Sequence, residues 1–219
     1  MKIIRLDETA KSAALAETLK VIEKGGIAAF PTETFYGLGV RYDRDDVIER
    51  LYSLKQRRLS KALPVIVGVP EDLAMVASSW TALDETIMGA FWPGPLTLLL
   101  KAKVSLSGLI TGGTGNVAVR IPGPSFALEM ARSLRMPVTA TSGNISGQPP
   151  ARRASEILHQ FESVIDLLVD GGDTPGGMPS TIVRVSDNVV QIVREGVIRK
   201  ESIELALAST LPRPAVVIG

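Results

Sequence analysis

The 219-residue chain is 45% hydrophobic and 21% charged, which is typical of a globular protein with a substantial core and excludes a disordered chain. Its 24 Lys and Arg residues nearly balance its 23 Asp and Glu residues, so the net charge of +1 provides no general attraction for nucleic acid or anionic membrane. The sequence contains no cysteine, which excludes disulfides, thiolate nucleophiles and cysteine-based zinc sites.

Hydrophobic periodicity and turn residues predict strands and helices that alternate with short connections. In chain order, the predicted elements are a strand over 3–5, a helix over 10–23, a strand over 27–30, a helix over 46–55, a strand over 63–69, helices over 73–77 and 83–91, a turn over 92–95, strands over 96–101 and 117–121, a helix over 126–135, a strand over 138–141, a helix over 154–161, strands over 165–170, 181–185 and 189–194, and a helix over 202–208. This order favours an α/β or α+β fold built on one large twisted sheet. We expect one catalytic domain over residues 1–208 and a proline-containing tail over 209–219.

The start of the chain and its apolar runs predict no membrane association. Residues 1–7 lack the charged-then-apolar pattern of a signal peptide. No apolar run is long enough to cross a bilayer. We therefore expect a cytoplasmic protein with no membrane partner.

Several familiar catalytic signatures are absent from the sequence. There is no G-x-x-x-x-G-K-[ST], so ATP cannot be held by a P-loop, and Gly37-Leu38-Gly39 lacks the third glycine of a dinucleotide fingerprint. The sole histidine, His159, falls on a predicted amphipathic helix, where an imidazole is usually a surface or boundary residue. Any chemistry must therefore rest mainly on Lys, Arg, Ser, Thr, Asn and backbone groups, which suits electrostatic stabilisation of phosphates.

Two segments in the first third of the chain combine hydroxyls, glycines and cations. PTETFYGLG at residues 31–39 follows a predicted buried strand and lets a ligand approach its glycines closely, although an ordinary polar connection is the alternative. KQRRLSK at residues 55–61 holds four cations. Cations can simply complement a helix C-terminus, but Arg57, Arg58 and Lys61 lie beyond the last predicted turn. We interpret this cluster as a triphosphate site, with arginine binding oxygens in pairs.

Three later segments carry further candidate ligands. Arg120 interrupts an apolar strand, so it needs an anionic partner, either an internal Asp or Glu or the carboxylate of a ligand. TATSGNISG at residues 139–147 ends a strand with small polar residues that can form an anion-binding nest, or an ordinary loop. GGDTPGGMPST at residues 171–181 leads into one predicted strand, and Arg194 closes the next strand, with a long hairpin connection as the alternative. We expect all five segments to meet at one site.

The order of these segments carries a family resemblance. It rests on PTETFYGLG, KQRRLSKALP, FWPGPLTLLL, VAVRIP, TATSGNISG, GGDTPGGMPST and IVREGVI, which span nearly the whole chain. In this order they resemble the YrdC family of threonylcarbamoyl-AMP synthases. The resemblance implies a twisted mixed β-sheet flanked by helices, with a basic concave cavity. The chain departs from the family pattern at Gly143, where alanine is usual, at Arg58, where proline is frequent, and at Ile66, where some members place a histidine.

The resemblance also implies roles for individual residues. Contacts to threonine would come from Thr34, Tyr36, Arg120, Ala140 and Ser180, and Arg120 would pair with the carboxylate of the amino acid. Contacts to ATP would come from Thr32, Lys55, Arg57, Lys61, Asn116, Ser142, Asn144, Pro150 and Arg194. Lys55 and Arg57 would be catalytic. Mg²⁺ would be carried by the phosphates of ATP, and no metal ligand is assigned to the protein.

The reaction that the resemblance implies converts L-threonine, bicarbonate and ATP into threonylcarbamoyl-adenylate and pyrophosphate. Downstream tRNA threonylcarbamoyl transferase proteins would then transfer the threonylcarbamoyl group to tRNA. Two alternatives stay open, a module that binds RNA or nucleotide without chemistry and a YciO-like paralogue with weak or different activity. A relative from hydrogenase maturation would carry zinc fingers, which a sequence without cysteine cannot form.

Overall fold

The computed structural model describes residues 1–7, 9–162 and 164–219, and it has the mixed α/β class that the sequence predicts. The helices are α1 (Lys11–Glu23), α2 (Asp45–Leu54), α3 (Ala82–Phe91), α4 (Gly108–Thr111), α5 (Phe126–Leu134), α6 (Ala154–Phe161) and α7 (Lys200–Ala206), with a 3₁₀ helix at Pro70–Met75. The strands are β1 (Lys2–Arg5), β2 (Ala28–Pro31), β3 (Tyr36–Gly39), β4 (Val65–Ile66), β5 (Ala77–Ser79), β6 (Leu96–Ala102), β7 (Asn116–Arg120), β8 (Val138–Thr139), β9 (Thr141–Ser142), β10 (Leu167–Asp170), β11 (Thr181–Ser186), β12 (Val189–Arg194) and β13 (Ala215–Ile218).

The strands form two mixed sheets, so the prediction of one large sheet is wrong. The first sheet has five strands in the order β1-β10-β2-β3-β9. The second has eight, in the order β13-β12-β11-β6-β7-β4-β8, with β5 paired to β6. The main apolar core holds residues of both sheets, including Ala29 and Leu38 of the first and Leu98 and Val119 of the second.

The two sheets separate at Ala140, where the predicted strand over 138–141 divides. β8 pairs with β4 in the second sheet, and β9 pairs with β3 in the first. Ala140 itself donates its N–H to the Pro64 carbonyl oxygen at 2.8 Å instead of joining either ladder. The sequence therefore predicts one strand over 138–141, although its two halves belong to different sheets.

The first sheet carries the hairpin that contains the PTET signature. β2 and β3 pair antiparallel, with Pro31 opposite Tyr36. β2 is buried on both faces apart from Pro31, because α1 and α5 cover one side and the main core covers the other. The PTET signature therefore lies at the tight end of a hairpin that is held on a buried strand.

Three other expectations need correction. The predicted strand over 63–69 contracts to Val65–Ile66, and the predicted helix over 73–77 is replaced by the 3₁₀ helix Pro70–Met75 and by β5. The expected tail contains β13, which pairs in parallel with β12. None of the described helices has the length and apolar character needed to cross a membrane.

Candidate active site

A cavity of about 500 Å³ is lined by strands of both sheets and by the loops that follow them. Most of the predicted site residues line it, namely Thr32, Thr34, Tyr36, Arg57, Arg120, Ala140, Ser142, Pro150, Ser180 and Arg194. Apart from Pro150, these residues come from the five segments that the sequence analysis singled out, and every segment contributes at least one. The segments therefore meet at one place in the fold.

Three arginines give this cavity its charge, and we call it the arginine cavity. Arg57, Arg120 and Arg194 line it, and none of the described residues in its lining is Asp or Glu. Partial burial lowers the pKa of Arg194 although its side chain still meets solvent, and the positive charge of Arg120 lowers this pKa further. Because nearby like charges repel, the arrangement favours an anion bound between them.

Arg57 reaches the cavity because α2 ends just before it. Lys55 caps α2, and Gln56 adopts the left-handed conformation, with φ of 49°, that turns the chain. Arg57 Nη2 then donates to the Ala62 carbonyl oxygen at 2.7 Å, and Nε donates to the Lys61 carbonyl oxygen at 3.2 Å. Burial lowers the pKa of Arg57, yet a guanidinium remains charged near neutral pH. Backbone acceptors thus hold a fixed positive charge at the cavity wall.

Arg120 ends β7 and forms an ion pair with Glu33, from its Nη1 to Oε1 of the carboxylate. The two side chains are only 12% and 14% exposed. Of the two partners that the sequence left open, the structure thus supplies the internal carboxylate. The other N–H groups of the Arg120 guanidinium have no acceptor among the described residues, so they can still receive a ligand.

Hydroxyl groups flank the arginines on two sides. Thr32 Oγ1 accepts from the Thr34 N–H at 3.1 Å and donates to the Phe35 carbonyl oxygen at 2.7 Å, which fixes the turn between β2 and β3. On the other side, Arg194 Nη2 donates to the Ser180 carbonyl oxygen at 2.7 Å and to Ser180 Oγ at 3.2 Å. Ser180 Oγ also lies 2.9 Å from Thr97 Oγ1. Ser180 and Arg194 therefore form one connected unit.

Tyr36 connects the β2–β3 hairpin to the glycine-rich loop after β10 through hydrogen bonds of its hydroxyl group. Its hydroxyl donates to the Gly172 carbonyl oxygen at 2.8 Å and accepts from the Gly171 N–H at 3.0 Å. Burial raises the pKa of Tyr36 to about 12, so the hydroxyl stays protonated and can serve both partners. A third hydrogen bond joins the same loop to the hairpin, because the Gly176 N–H donates to the Thr34 carbonyl oxygen at 2.7 Å.

Lys55 lies beneath the arginine cavity and not in the described lining. Its side chain is almost fully buried, and Nζ donates to the carbonyl oxygens of Ser142 and Asn144, the latter at 2.6 Å. The Lys55 carbonyl oxygen accepts from the Ser146 N–H at 2.8 Å. In this geometry Lys55 supports the loop whose Ser142 lines the cavity, and its catalytic role stays a prediction.

Burial of Lys55 predicts a pH-dependent contribution to stability. Burial, and secondarily the charge of Arg57, lowers the pKa of Lys55 from 10.5 to about 7. Between pH 7 and 10.5 the unfolded chain binds more protons at Lys55 than the folded chain does, so the free energy of unfolding rises with pH. The stability contributed by burying the neutral amine is fully present above pH 10.5 and is lost as the pH falls to 7. We expect the stability advantage of wild type over Lys55→Met to grow from pH 7 to 10, by at most about 1.4 kcal/mol per pH unit. Urea unfolding at several pH values measures it, and a constant advantage would contradict a lowered pKa.

Three other residues predicted from the resemblance to contact ATP lie outside the described lining of the cavity. Lys61 is exposed and contributes its carbonyl oxygen, not its ammonium, to Arg57. Asn116 is the first residue of β7, at the end opposite Arg120, where its amide donates to the Thr114 carbonyl oxygen. Asn144 is buried, and its amide nitrogen donates to the carbonyl oxygens of the loop that follows it.

Gly143 shows how the polar loop packs against α6. A Cβ at this position would overlap Ile157 Cδ1 and lie 3.1 Å from the Tyr36 carbonyl oxygen. The buried Ile157 thus fills the space that the alanine usual in the family would need.

This contact predicts coupling between two substitutions. Gly143→Ala is expected to destabilise the protein by about 1–3 kcal/mol through overpacking, and Ile157→Val by about 1 kcal/mol. Because Ile157→Val removes the methyl group that clashes, the double variant should be less destabilised than the sum by at least about 0.5 kcal/mol. Urea unfolding of the four proteins tests this, and additive effects would contradict direct contact.

Other cavities also lie on the described part of the molecule. One of about 530 Å³ is lined by Trp80 and Trp92, and its described lining holds none of the predicted site residues. Another, of about 790 Å³, has Thr32 and Glu33 among its lining residues. The cations and hydroxyls line the arginine cavity, so we assign the candidate site to it and not to the cavity lined by Trp80 and Trp92.

Sequence reasoning missed two residues that shape the site. Glu33 stood in the PTET signature without an assigned role, although it is the carboxylate that pairs with Arg120. Thr97 belongs to an apolar strand and carried no signal, although its hydroxyl contacts Ser180. Glu33 could have been suspected from the need of Arg120 for a partner.

The profile of the Sua5/YciO/YrdC family, described as telomere recombination, matches residues 20–196. The chain belongs to the Sua5/YciO/YrdC family. The resemblance seen in the sequence is therefore confirmed. As in other proteins of the Sua5/YciO/YrdC family, the fold combines twisted mixed sheets with flanking helices.

The fold superposes on the crystal structure of Pyrococcus abyssi Sua5 complexed with L-threonine with a TM-score of 0.90 at 30% identity, covering 99% of this chain and 62% of that one. It matches Escherichia coli YciO at a TM-score of 0.79 and 21% identity, covering 92% of this chain and 98% of that one, which shows a shared fold.

Curated relatives in the Sua5/YciO/YrdC family carry the name threonylcarbamoyl-AMP synthase. The Bacillus subtilis protein is 34% identical over 194 residues, which is 88% of this chain and 56% of the relative. The Pyrococcus abyssi protein is 34% identical over 195 residues, which is 89% of this chain and 57% of the relative. This chain thus spans a little over half the length of the relatives it matches.

Proposed function

We propose that this chain synthesises L-threonylcarbamoyladenylate from L-threonine, bicarbonate and ATP, with release of pyrophosphate, for threonylcarbamoyladenosine modification of tRNA. The observation that carries the proposal is the arginine cavity, where three guanidinium groups lie beside serine and threonine hydroxyls. Relatives named threonylcarbamoyl-AMP synthase and a Sua5 structure complexed with L-threonine support the choice of substrate.

The amino-acid substrate fits the side of the cavity formed by Arg120 and Ser180. The N–H groups of Arg120 that Glu33 does not use would bind the carboxylate, and the Ser180 hydroxyl would add a hydrogen bond. Thr34 would contact the substrate hydroxyl, and the ring of Tyr36 and the methyl of Ala140 would pack against its carbon atoms. This assignment keeps the roles that the resemblance implies.

ATP would lie beside the amino acid in the same cavity, where Arg57 and Arg194 can bind phosphate oxygens. Ser142 and Thr32 would supply hydroxyls, and Pro150 would pack against the nucleoside. Lys55 would act through the position of the 142–146 loop, because its Nζ already donates to two carbonyl oxygens of that loop. Lys61, Asn116 and Asn144 receive no ligand contact in this proposal.

Mg²⁺ would enter the site on the phosphates of ATP. The described residues hold no group of three or more His, Cys, Asp or Glu side chains that could enclose a metal ion. The described lining of the cavity likewise offers hydroxyls and guanidinium groups. Such a donor set suits a cation that is bound mainly by phosphates and water, as Mg²⁺ commonly is in nucleotide sites.

The proposed reaction needs no covalent enzyme intermediate. Bicarbonate takes up a proton and loses water to give CO₂. The threonine amine adds to this CO₂, an N–C bond forms and a proton is released. An oxygen of the resulting carbamate attacks the α-phosphorus of ATP, and the bond to the β-phosphate oxygen breaks as pyrophosphate leaves. Arg57 and Arg194 stabilise the negative charge that develops on the phosphates. Binding both substrates in one cavity also reduces the entropic cost of bringing them together.

Pyrophosphate release tests the proposal directly. The protein is incubated with ATP, Mg²⁺ and bicarbonate, and each amino acid is added in turn. We expect release that requires both threonine and bicarbonate, together with a product whose mass matches threonylcarbamoyl-adenylate. Binding of nucleotide or RNA without pyrophosphate release would instead support a binding module, the alternative that the sequence left open.

A further inference from the structure

The arginine expected to receive the substrate carboxylate is already paired within the protein, and this pairing has consequences for substrate recognition. Arg120 lines the arginine cavity, whereas Glu33 is not part of its described lining and faces the neighbouring cavity of about 790 Å³. Glu33 therefore contacts Arg120 from outside the described lining of the arginine cavity. Its contact uses one carboxylate oxygen and one guanidinium nitrogen.

Local packing fixes the Glu33 side chain in this place. The hydrogen bonds of Thr32 to Thr34 and Phe35 hold the backbone on both sides of Glu33. A Cβ at Gly123 would lie 3.2 Å from Glu33 Cγ, so the glycine leaves the room that the side chain occupies. Glu33 Oε2 is buried and has no hydrogen-bond partner among the described residues. Such a group is costly to keep buried, which points to a role for the carboxylate beyond packing.

We infer that Glu33 is a positioning residue whose carboxylate orients the Arg120 guanidinium so that its free N–H groups receive the carboxylate of the amino-acid substrate. This inference rests on the proposed function. Two physical effects oppose each other here. The negative charge of Glu33 weakens binding of any anion nearby, but it also offsets the repulsion between Arg120 and Arg194 and removes the freedom of a long side chain. Because a guanidinium binds a carboxylate strongly only when its N–H groups are aligned with the carboxylate oxygens, we expect orientation to outweigh the repulsion.

The test compares recognition of the substrate carboxylate in wild type and Glu33→Gln, a variant of nearly the same shape. Binding of L-threonine and of L-threoninamide, which lacks the carboxylate, is measured by calorimetry, and steady-state pyrophosphate release gives KM and kcat. In Glu33→Gln we expect the preference for threonine over threoninamide to fall about tenfold, KM for threonine to rise about tenfold, and KM for ATP and kcat at saturating threonine to stay within about threefold.

Several outcomes would overturn the inference. Equal weakening of threonine and threoninamide would indicate general damage to the cavity, and a lower KM for threonine would mean that charge repulsion dominates. Glu33→Asp is measured in parallel because it keeps the charge and shortens the reach. If Glu33 positions Arg120, Glu33→Asp should lose the preference for threonine over threoninamide as Glu33→Gln does. An unchanged preference in Glu33→Asp would contradict the positioning role. If wild type binds threonine with this preference but releases no threonine-dependent pyrophosphate, the proposed function fails while the positioning role stands.

Discussion

Replacing Arg57 with alanine is expected to lower threonine-dependent pyrophosphate release by about a hundredfold. Arg57 lines the arginine cavity and is held by the carbonyl oxygens of Ala62 and Lys61 before any substrate binds. Removal of one preorganised donor typically raises the barrier by about 3 kcal/mol, and each 1.36 kcal/mol is a factor of ten in rate. Steady-state kinetics with ATP, bicarbonate and threonine measure the loss.

A neighbouring arginine provides the matched control for this prediction. Arg58 carries the same charge one residue later, but it is exposed and lies outside the described lining of the cavity. Arg58→Ala should therefore change the rate by less than about threefold, since screened surface charges contribute little. Arg57→Lys should recover only part of the activity, because lysine keeps the charge without the paired donors of arginine. Equal losses in Arg57→Ala and Arg58→Ala would contradict a specific phosphate contact.

Replacing Arg120 with methionine is expected to destabilise the protein by about 3 kcal/mol, as well as to remove threonine binding. Arg120 and Glu33 are only 12% and 14% exposed. Removal of one member of a buried ion pair leaves the other charge without compensation, which commonly costs about 3–5 kcal/mol. The remaining exposure places the expected value at the low end of that range. Urea unfolding measures the change in the free energy of unfolding.

A second substitution separates the loss of the ion pair from the loss of packing. Arg120→Met combined with Glu33→Gln removes both charges, so the double variant should recover at least about 1 kcal/mol of the lost stability. Arg153→Met is the surface control, because Arg153 and Asp173 form an ion pair whose side chains are more than half exposed. That variant should change the stability far less. An unchanged unfolding midpoint in Arg120→Met would show that the ion pair contributes little.

The elements best predicted from the sequence are those whose pattern is local. The alternation of buried and exposed positions predicts α6 and β12 with their observed bounds, and the bounds of α5 and β6 to within one residue. The division at Ala140 was missed because it depends on which distant strands pair with β8 and β9. The sequence likewise predicts a tail where β13 lies, because the pairing of β13 with β12 does not depend on a pattern within its own four residues.

The candidate site follows the same division between local and distant information. Polar and glycine-rich segments at strand ends predicted which stretches meet, and they do line one cavity. The sequence could not choose the partner of Arg120, because Glu33 lies 87 residues away. It also could not separate Lys55 from Arg57, because the two are only two residues apart although Lys55 is buried and Arg57 lines the cavity.

A crystal structure of this chain with L-threonine and a non-hydrolysable ATP analogue tests the central claim most directly. The account predicts both ligands together in the arginine cavity, with the triphosphate against Arg57 and Arg194 and the amino-acid carboxylate against Arg120 and Ser180. Binding of the nucleotide in another cavity, or of threonine away from Arg120 while the chain is active, would contradict it.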